Sequence, residues 1–184
     1  MPYVDEVEQA EANPELRDIY AKIEEKFGFV PHYFKALGRT PDVIKAQLQM
    51  NGAIMGEGAL SALVKEQIGV VVSGINSSSY CIAIHMEVLR QFGIDKPASR
   101  KLATDYMNAP VDDKTKVLFR FAEKLTRKPL DVDQPDADEV LRAGWSQAAL
   151  RETVLAGRFS VTSTACRLDW GWSPTFNVTI FRQT

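Results

Sequence analysis

Cysteine and histidine are scarce in this chain: two of each in 184 residues. Two thiols do not make a disulfide framework, so the sequence does not read as a small secreted scaffold. The paired Cys and His spacings of zinc sites are missing, and neither a metal nor another cofactor is expected. Long apolar runs are missing too. The stretch from Ile68 to Val72, interrupted by Gly69, is far too short to span a bilayer. No charge of one sign dominates. The formal net charge is −2 with Lys and Arg scattered, which leaves no footprint for nucleic acid or for an anionic membrane surface. The N-terminal stretch Met1 to Glu8 is acidic and lacks the basic-then-apolar order of a secretion signal, so a cytoplasmic location is expected. Strand patterns with hairpin turns are absent as well. Phe176 to Phe181 is the one β-like run.

What remains is an ordinary globular composition, 45% hydrophobic and 25% charged, and a helical pattern almost throughout. The expected fold class is all-α, in a single domain spanning 1–184. Asn13-Pro14-Glu15 is a strong helix start, with Leu16, Ile19, Tyr20, Ile23 and Phe27 at helical spacing and Gly28 as the stop. Pro31 opens a short segment closed by Gly38. Thr40-Pro41 opens a helix with Val43, Ile44, Leu48 and Ile54 as its apolar stripe. Ser61 can cap a helix from Ala62 to Ile75. Asn76, Ser77, Ser78 and Ser79 each offer a cap for the next, which ends at Gly93. Pro97 starts a helix to Met107, and Asp112 caps one whose inward face is Val117, Leu118, Phe121, Ala122 and Leu125. Lys128 to Asp138, with two prolines and four aspartates, reads as a loop or lobe boundary. A short helix ends near Gly144, and Ser146 caps the last long one, from Gln147 to Asp169. Leu63-Val64-Lys65-Glu66 is echoed by Ala149-Leu150-Arg151-Glu152. The echo suggests two related helical halves, about 14–110 and 111–172.

One cysteine and one histidine stand a helical turn apart, at Cys81 and His85, with Ser78 a turn before. A thiolate is the reactive form of cysteine, and a neighbouring imidazole makes it available near neutral pH. Cys81 is the candidate nucleophile and His85 the candidate base, against the plainer readings of a packed core cysteine and a helix-surface histidine. Glu66 could orient His85 or relay protons, though Lys65-Glu66-Gln67 also reads as a solvated helix face. Tyr80 is a pocket candidate beside the thiol, or simply core. His32 is expected to be exposed rather than catalytic, and Cys166 to pack inward. Trp145, Trp170 and Trp172 read as core or subunit-contact residues.

At these residues the chain resembles the alkylhydroperoxidase D / carboxymuconolactone decarboxylase superfamily, and within it the peroxidase-related branch. The superfamily pattern is Glu-(x)11-Cys-x-x-Cys-x-x-x-His. Glu66, Cys81 and His85 fill three of the four positions, and Ser78 stands where the first cysteine would be. The flanking resemblance runs from Gly28-Phe29-Val30-Pro31, through Glu57-Gly58 and Leu60-Ser61, to Phe121-Ala122-Glu123-Lys124-Leu125. The resemblance implies a helical bundle assembled as a dimer, trimer or hexamer. It also implies thiol-dependent reduction of hydroperoxides: Cys81 attacks the peroxide, aided by a Glu66–His85 relay.

Ser78 cannot form the disulfide that would resolve an oxidised Cys81. Three readings stay open: a one-cysteine peroxidase served by an external thiol or by Cys166, a pocket turned to another small molecule, or an introduced serine. In the first, Ser78 would donate a hydrogen bond to the sulfur. Two further functions are weighed beside a peroxidase. One is a lyase on a small keto acid or lactone, for which Arg158 and Arg167 are the only evident carboxylate partners. The other is a non-enzymatic helical oligomer that binds a small ligand.

Overall fold

The computed structural model describes the backbone of residues 4–169 and the side chains of residues 4–160 other than Lys26. Nine α-helices and two short 3₁₀ turns occupy the described residues, and no strand occurs among them. The fold class is therefore all-α, as the periodicity implies. The tail run from Phe176 to Phe181, like Trp170 and Trp172, lies outside the described residues, as do the side chains of Cys166 and Arg167. Two compact units divide the described chain, residues 4–53 with 167–169 and residues 54–166, with the first division falling inside the third helix.

The first unit holds α1 (Pro14–Phe27), α2 (His32–Ala36) and most of α3 (Pro41–Met55). The predicted caps explain α1. Asn13 Oδ1 accepts from the Leu16 amide at 2.8 Å, Pro14 needs no partner in the first turn, and Gly28 closes the helix at φ 77°. Leu16, Ile19, Tyr20 and Ile23 bury the inner face of α1 with Ile44 of α3 and Val30. Val43 departs from its expected place in the α3 stripe and stands 45% exposed. It lies about 100° round the helix from Ile44, which alone takes the buried position. An extended segment before α1 is held by polar contacts: Asp5 to Arg39 (2.6 Å), Glu6 to His32 (2.7 Å), Glu8 to Lys35 (2.7 Å), and the Tyr20 hydroxyl donating to the Val7 carbonyl (2.9 Å). His32 is thus half-exposed and engaged by a carboxylate.

In the second unit α4 (Ala62–Ile75) packs against α5 (Ser79–Gln91), α6 (Lys96–Asp105) and α7 (Asp113–Arg127). The nine residues from Lys65 to Ser73 are all buried. A helix apolar on most of its surface must sit inside a bundle, and the Ile68–Val72 run is that surface. Val117, Leu118, Phe119, Phe121 and Ala122 of α7 and Ala149 and Ala156 of α9 (Gln147–Asp169) complete this core. The stretch from Lys128 to Asp138 is not one loop. A 3₁₀ turn takes up Pro129–Asp131, and α8 (Gln134–Arg142) begins inside it. Pro135 falls in the first turn of α8, where a missing N–H costs nothing, and Asp133 with Asp136 form a capping box. The prolines and aspartates that read as a boundary are helix-start chemistry.

A buried ion pair fixes the entry to α4. Lys65, only 2% exposed, places its Nζ 2.6 Å from the Gly56 carbonyl oxygen and 3.0 Å from Glu152 of α9. Glu152 also accepts from the Ala59 and Leu60 amides, each at 2.9 Å. Burial raises the pKa of Glu152, but those two amides and Lys65 outweigh it and hold the carboxyl below its ordinary 4.5. A depressed carboxylate pKa stabilises the fold above about pH 4.5, and that share is lost as pH falls through the folded-state value. Glu152→Gln is expected to cost about 2 kcal/mol near neutral pH, since Lys65 loses its counter-charge inside the protein. Urea unfolding of the two proteins at a series of pH values checks this. The gap should close as pH drops below 4.5, where the wild-type side chain also becomes neutral.

Candidate active site

The turn between α4 and α5 sets where the motif cysteine lies. Ser77 adopts the left-handed conformation (φ 54°), and Ser78 N–H reaches back to the Ser73 carbonyl at 2.9 Å. The Ser77 amide bonds the Gly74 carbonyl, also at 2.9 Å, so α4 ends in a Schellman motif with serine in the place glycine usually takes. That conformation costs a residue with a Cβ about 1 kcal/mol, a strain held at the mouth of the motif. Ser78 then caps α5, its Oγ 3.5 Å from the Cys81 amide nitrogen. Cys81 is therefore the third residue of the helix, inside the first turn, where the positive end of the dipole favours an anion.

The four motif positions and Tyr80 sit on two packed helices of one unit. Ser78 is fully buried, Cys81 is 5% exposed and Glu66 9%. His85 Nδ1 lies 2.6 Å from Glu66 Oε2. A carboxylate oxygen accepts, so Nδ1–H donates, and the lone pair left for chemistry is that of Nε2. Glu66 is thus no solvated surface residue. It is buried next to Lys65 and Gln67, which are buried too, and it fixes the tautomer of the imidazole one turn from the thiol. Tyr80 is half-buried, with its hydroxyl oxygen inside the protein. Among the described residues no group of three or more His, Cys, Asp and Glu side chains is arranged to hold a metal ion.

Gly69 is a part of this site that residue chemistry does not announce. A Cβ there would meet the His85 ring, at 2.6 Å from Cε1 and 2.7 Å from Nδ1. The imidazole lies flat on a helix turn bared of side chain. Its one sequence signal is a glycine amid branched apolar residues in a helix, a position that costs about 1 kcal/mol against alanine and so asks for a packing reason. Gly69→Ala is expected to push the ring off the Glu66 carboxylate. Proton NMR should then lose the downfield Nδ1–H resonance of His85 while the amide spectrum elsewhere stays native.

The echo of the motif in α9 has a structural counterpart. Glu66 and Glu152 each follow a basic residue near the start of a long helix. Glu66 binds an imidazole, whereas Glu152 binds Lys65 and two backbone amides. Arg158 is exposed on α9. Trp145 is half-buried against the core, its Nε1 donating to the Lys114 carbonyl at 2.9 Å.

Residues 41–103, which hold the whole motif, match the carboxymuconolactone decarboxylase family. The fold is similar to that of an uncharacterized peroxidase-related protein with an alkylhydroperoxidase AhpD core from Ralstonia eutropha JMP134. The TM-score is 0.86 at 23% identity, covering 95% of this chain and 93% of that one. It is also similar to an uncharacterized peroxidase-related protein from Silicibacter sp. TM1040, with a TM-score of 0.80 at 29% identity over 90% and 88% of the two chains. A third similar structure is the debrominase Bmp8, solved in complex with 2,3,4-tribromopyrrole, at a TM-score of 0.78 and 17% identity over 92% and 90%. No curated protein matches. The motif, the helical architecture and the match over α3 to α6 agree: residues 41–103 carry a carboxymuconolactone decarboxylase family segment within an AhpD-like helical fold.

Proposed function

We propose that this protein is a one-cysteine peroxidase that reduces small hydroperoxides through Cys81 at the expense of an external thiol. The observation that carries the reading is the 2.6 Å bond from His85 to Glu66, which leaves Nε2 as a base one helical turn from a cysteine in the first turn of its helix. His85 takes the proton of the Cys81 thiol. The thiolate then attacks one peroxide oxygen, the O–O bond breaks, and the leaving alkoxide collects the proton from the imidazolium. Cys81 becomes a sulfenic acid and the hydroperoxide an alcohol. An external thiol condenses with the sulfenic acid, releasing water and forming a mixed disulfide. A second thiol releases Cys81 and leaves as the disulfide of the reductant.

Ser78 takes no part in the electron flow. Its oxygen caps α5 and keeps the Cys81 amide engaged. The burial of Cys81 favours compact oxidants, so hydrogen peroxide and short alkyl hydroperoxides are expected to outpace fatty-acid hydroperoxides. The reading includes a homo-oligomer and a reducing cytoplasmic setting, where low-molecular-weight thiols are plentiful. The same fold in a debrominase means that fold alone does not select the substrate.

The test is to treat the reduced protein with one equivalent of hydrogen peroxide in the presence of dimedone and to map the adduct by mass spectrometry. One adduct, on Cys81, is expected. An unmodified Cys81 under conditions where free cysteine is oxidised would contradict the reading.

A further inference from the structure

Ser73 of α4 is fully buried, and its hydroxyl has no hydrogen-bond partner. A hydroxyl inside a helix has two common outlets, solvent or the carbonyl four residues back. Burial closes the first. Thr153 and Ser160 of α9, buried as deeply, take the second, bonding Ala149 at 2.9 Å and Ala156 at 3.0 Å. Ser73 has the Gly69 carbonyl at that place and does not use it. A buried donor left unpaired is costly, and native proteins rarely keep one without a reason.

The hydroxyl belongs to the motif face of α4. Glu66, Gly69 and Ser73 follow at intervals of three and four, one stripe of the helix. Glu66 and Gly69 both meet His85 of α5. After the turn at 76–78, α5 runs back antiparallel beside α4, and the Ser73 carbonyl accepts from the Ser78 amide. One turn beyond Gly69 on α4 is therefore level with one turn before His85 on α5. Ser73 holds the first position and Cys81 the second. The two share one seam, and the hydroxyl makes no bond to the sulfur in the resting protein.

We infer that Ser73 is a further catalytic residue, whose hydroxyl donates a hydrogen bond to the peroxide oxygen that Cys81 attacks. The inference rests on the peroxidase reading above and adds a residue to it. In that step the sulfur–oxygen bond forms, the O–O bond breaks, and the leaving oxygen takes the imidazolium proton. The attacked oxygen lies beside the sulfur, level with Ser73. The leaving oxygen lies one turn along the seam, toward His85. Ser73 keeps its own proton throughout. A donor held ready in a dry site stabilises the transition state without first giving up another bond.

The test compares wild type with Ser73→Ala in the full-length protein. Sulfenic acid formation at Cys81 by hydrogen peroxide, trapped with dimedone, should slow by about tenfold. Alkylation of Cys81 by iodoacetamide, which transfers no oxygen, should keep its wild-type rate. Thermal unfolding should come no earlier than in wild type, because the variant loses only an unsatisfied group. Ser99→Ala is the control. Its hydroxyl is also buried and without a partner, but it lies on α6, which meets α4 where Ala103 faces Gly74. That variant should be oxidised at the wild-type rate. The assignment is overturned if Ser73→Ala slows oxidation by less than about fivefold, or slows alkylation equally. It is also overturned if Ser73→Ala melts earlier or fails to fold, which would give the hydroxyl a structural role, or if Ser99→Ala is slowed as much. A wild-type Cys81 inert to peroxide sinks the peroxidase reading and this one together. A reactive wild type matched by Ser73→Ala sinks this one alone.

Discussion

The Cys81→Ala variant should consume hydrogen peroxide, with dithiothreitol as reductant, no faster than the reductant alone. A loss of at least a hundredfold is expected, because no other described side chain is a thiol that the reductant could return to its starting state after each turnover. Cys81 is the described thiol, and in the proposed cycle the bond to oxygen forms on its sulfur. The substitution removes one buried atom, so native stability should fall by only about 1 kcal/mol and the loss of turnover cannot be put down to unfolding. Ser78→Ala makes a useful contrast. It removes the oxygen that caps α5, at about 1 kcal/mol, and should leave most of the turnover in place. Ser78→Cys adds the second thiol. One equivalent of peroxide should then consume two thiols in the motif, where the wild-type protein loses one.

Gly74→Ala is the second large effect. A Cβ at Gly74 would lie within 2.8 Å of the Ala103 carbonyl carbon and closer still to its oxygen. Both atoms belong to backbone, α4 on one side and α6 on the other, so no side chain can swing away. The helices would have to separate along the seam that carries Val71, Ile75 and Leu102. A cost of about 3 kcal/mol is expected after the gain in helix propensity is set against the clash. For a chain of this length that is a fall in Tm of roughly 10 °C. Gly52→Ala is the matched control. Gly52 lies inside α3, and a Cβ there meets nothing within 4 Å. Propensity alone should act, and the variant should gain up to about 1 kcal/mol. Thermal unfolding followed by circular dichroism reads both.

Helix starts were legible from short polar signals. Asn13 before Pro14, Ser61 before Ala62, Asp112 and Ser146 each name the residue at which a helix begins, because orphan amides in the first turn need an acceptor. The same logic misleads from Lys128 to Asp138. Proline and aspartate also serve helix starts, and only the Asp133–Asp136 capping box decides between a loop and α8. Val43 shows a different limit. On a helix with one narrow buried face, such as α3, only one of the adjacent Val43 and Ile44 goes inside, and periodicity does not say which will.

At the site, the Cys81–His85 spacing could be read because an interval of four puts both on one face. The burial of Glu66 could not be. Lys65-Glu66-Gln67 has the composition of a surface, and three long-range partners bring it inside: His85 for Glu66, and Gly56 and Glu152 for Lys65. Ser78 was legible as one of several caps. Which serine caps α5 depends on Ser77 taking the left-handed turn, a choice made by the packing of α4 against α5.

The account turns on the Glu66–His85 pair making Cys81 reactive, and the rate at which hydrogen peroxide oxidises that thiol tests it most directly. Single-turnover stopped-flow measurements on wild-type protein, His85→Asn and Glu66→Gln give the three rate constants needed. Wild type should react about a hundredfold faster than free cysteine at the same pH. His85→Asn should lose most of that advantage, and Glu66→Gln a smaller part of it. A wild-type rate equal to that of free cysteine, or one unchanged by His85→Asn, would contradict the account.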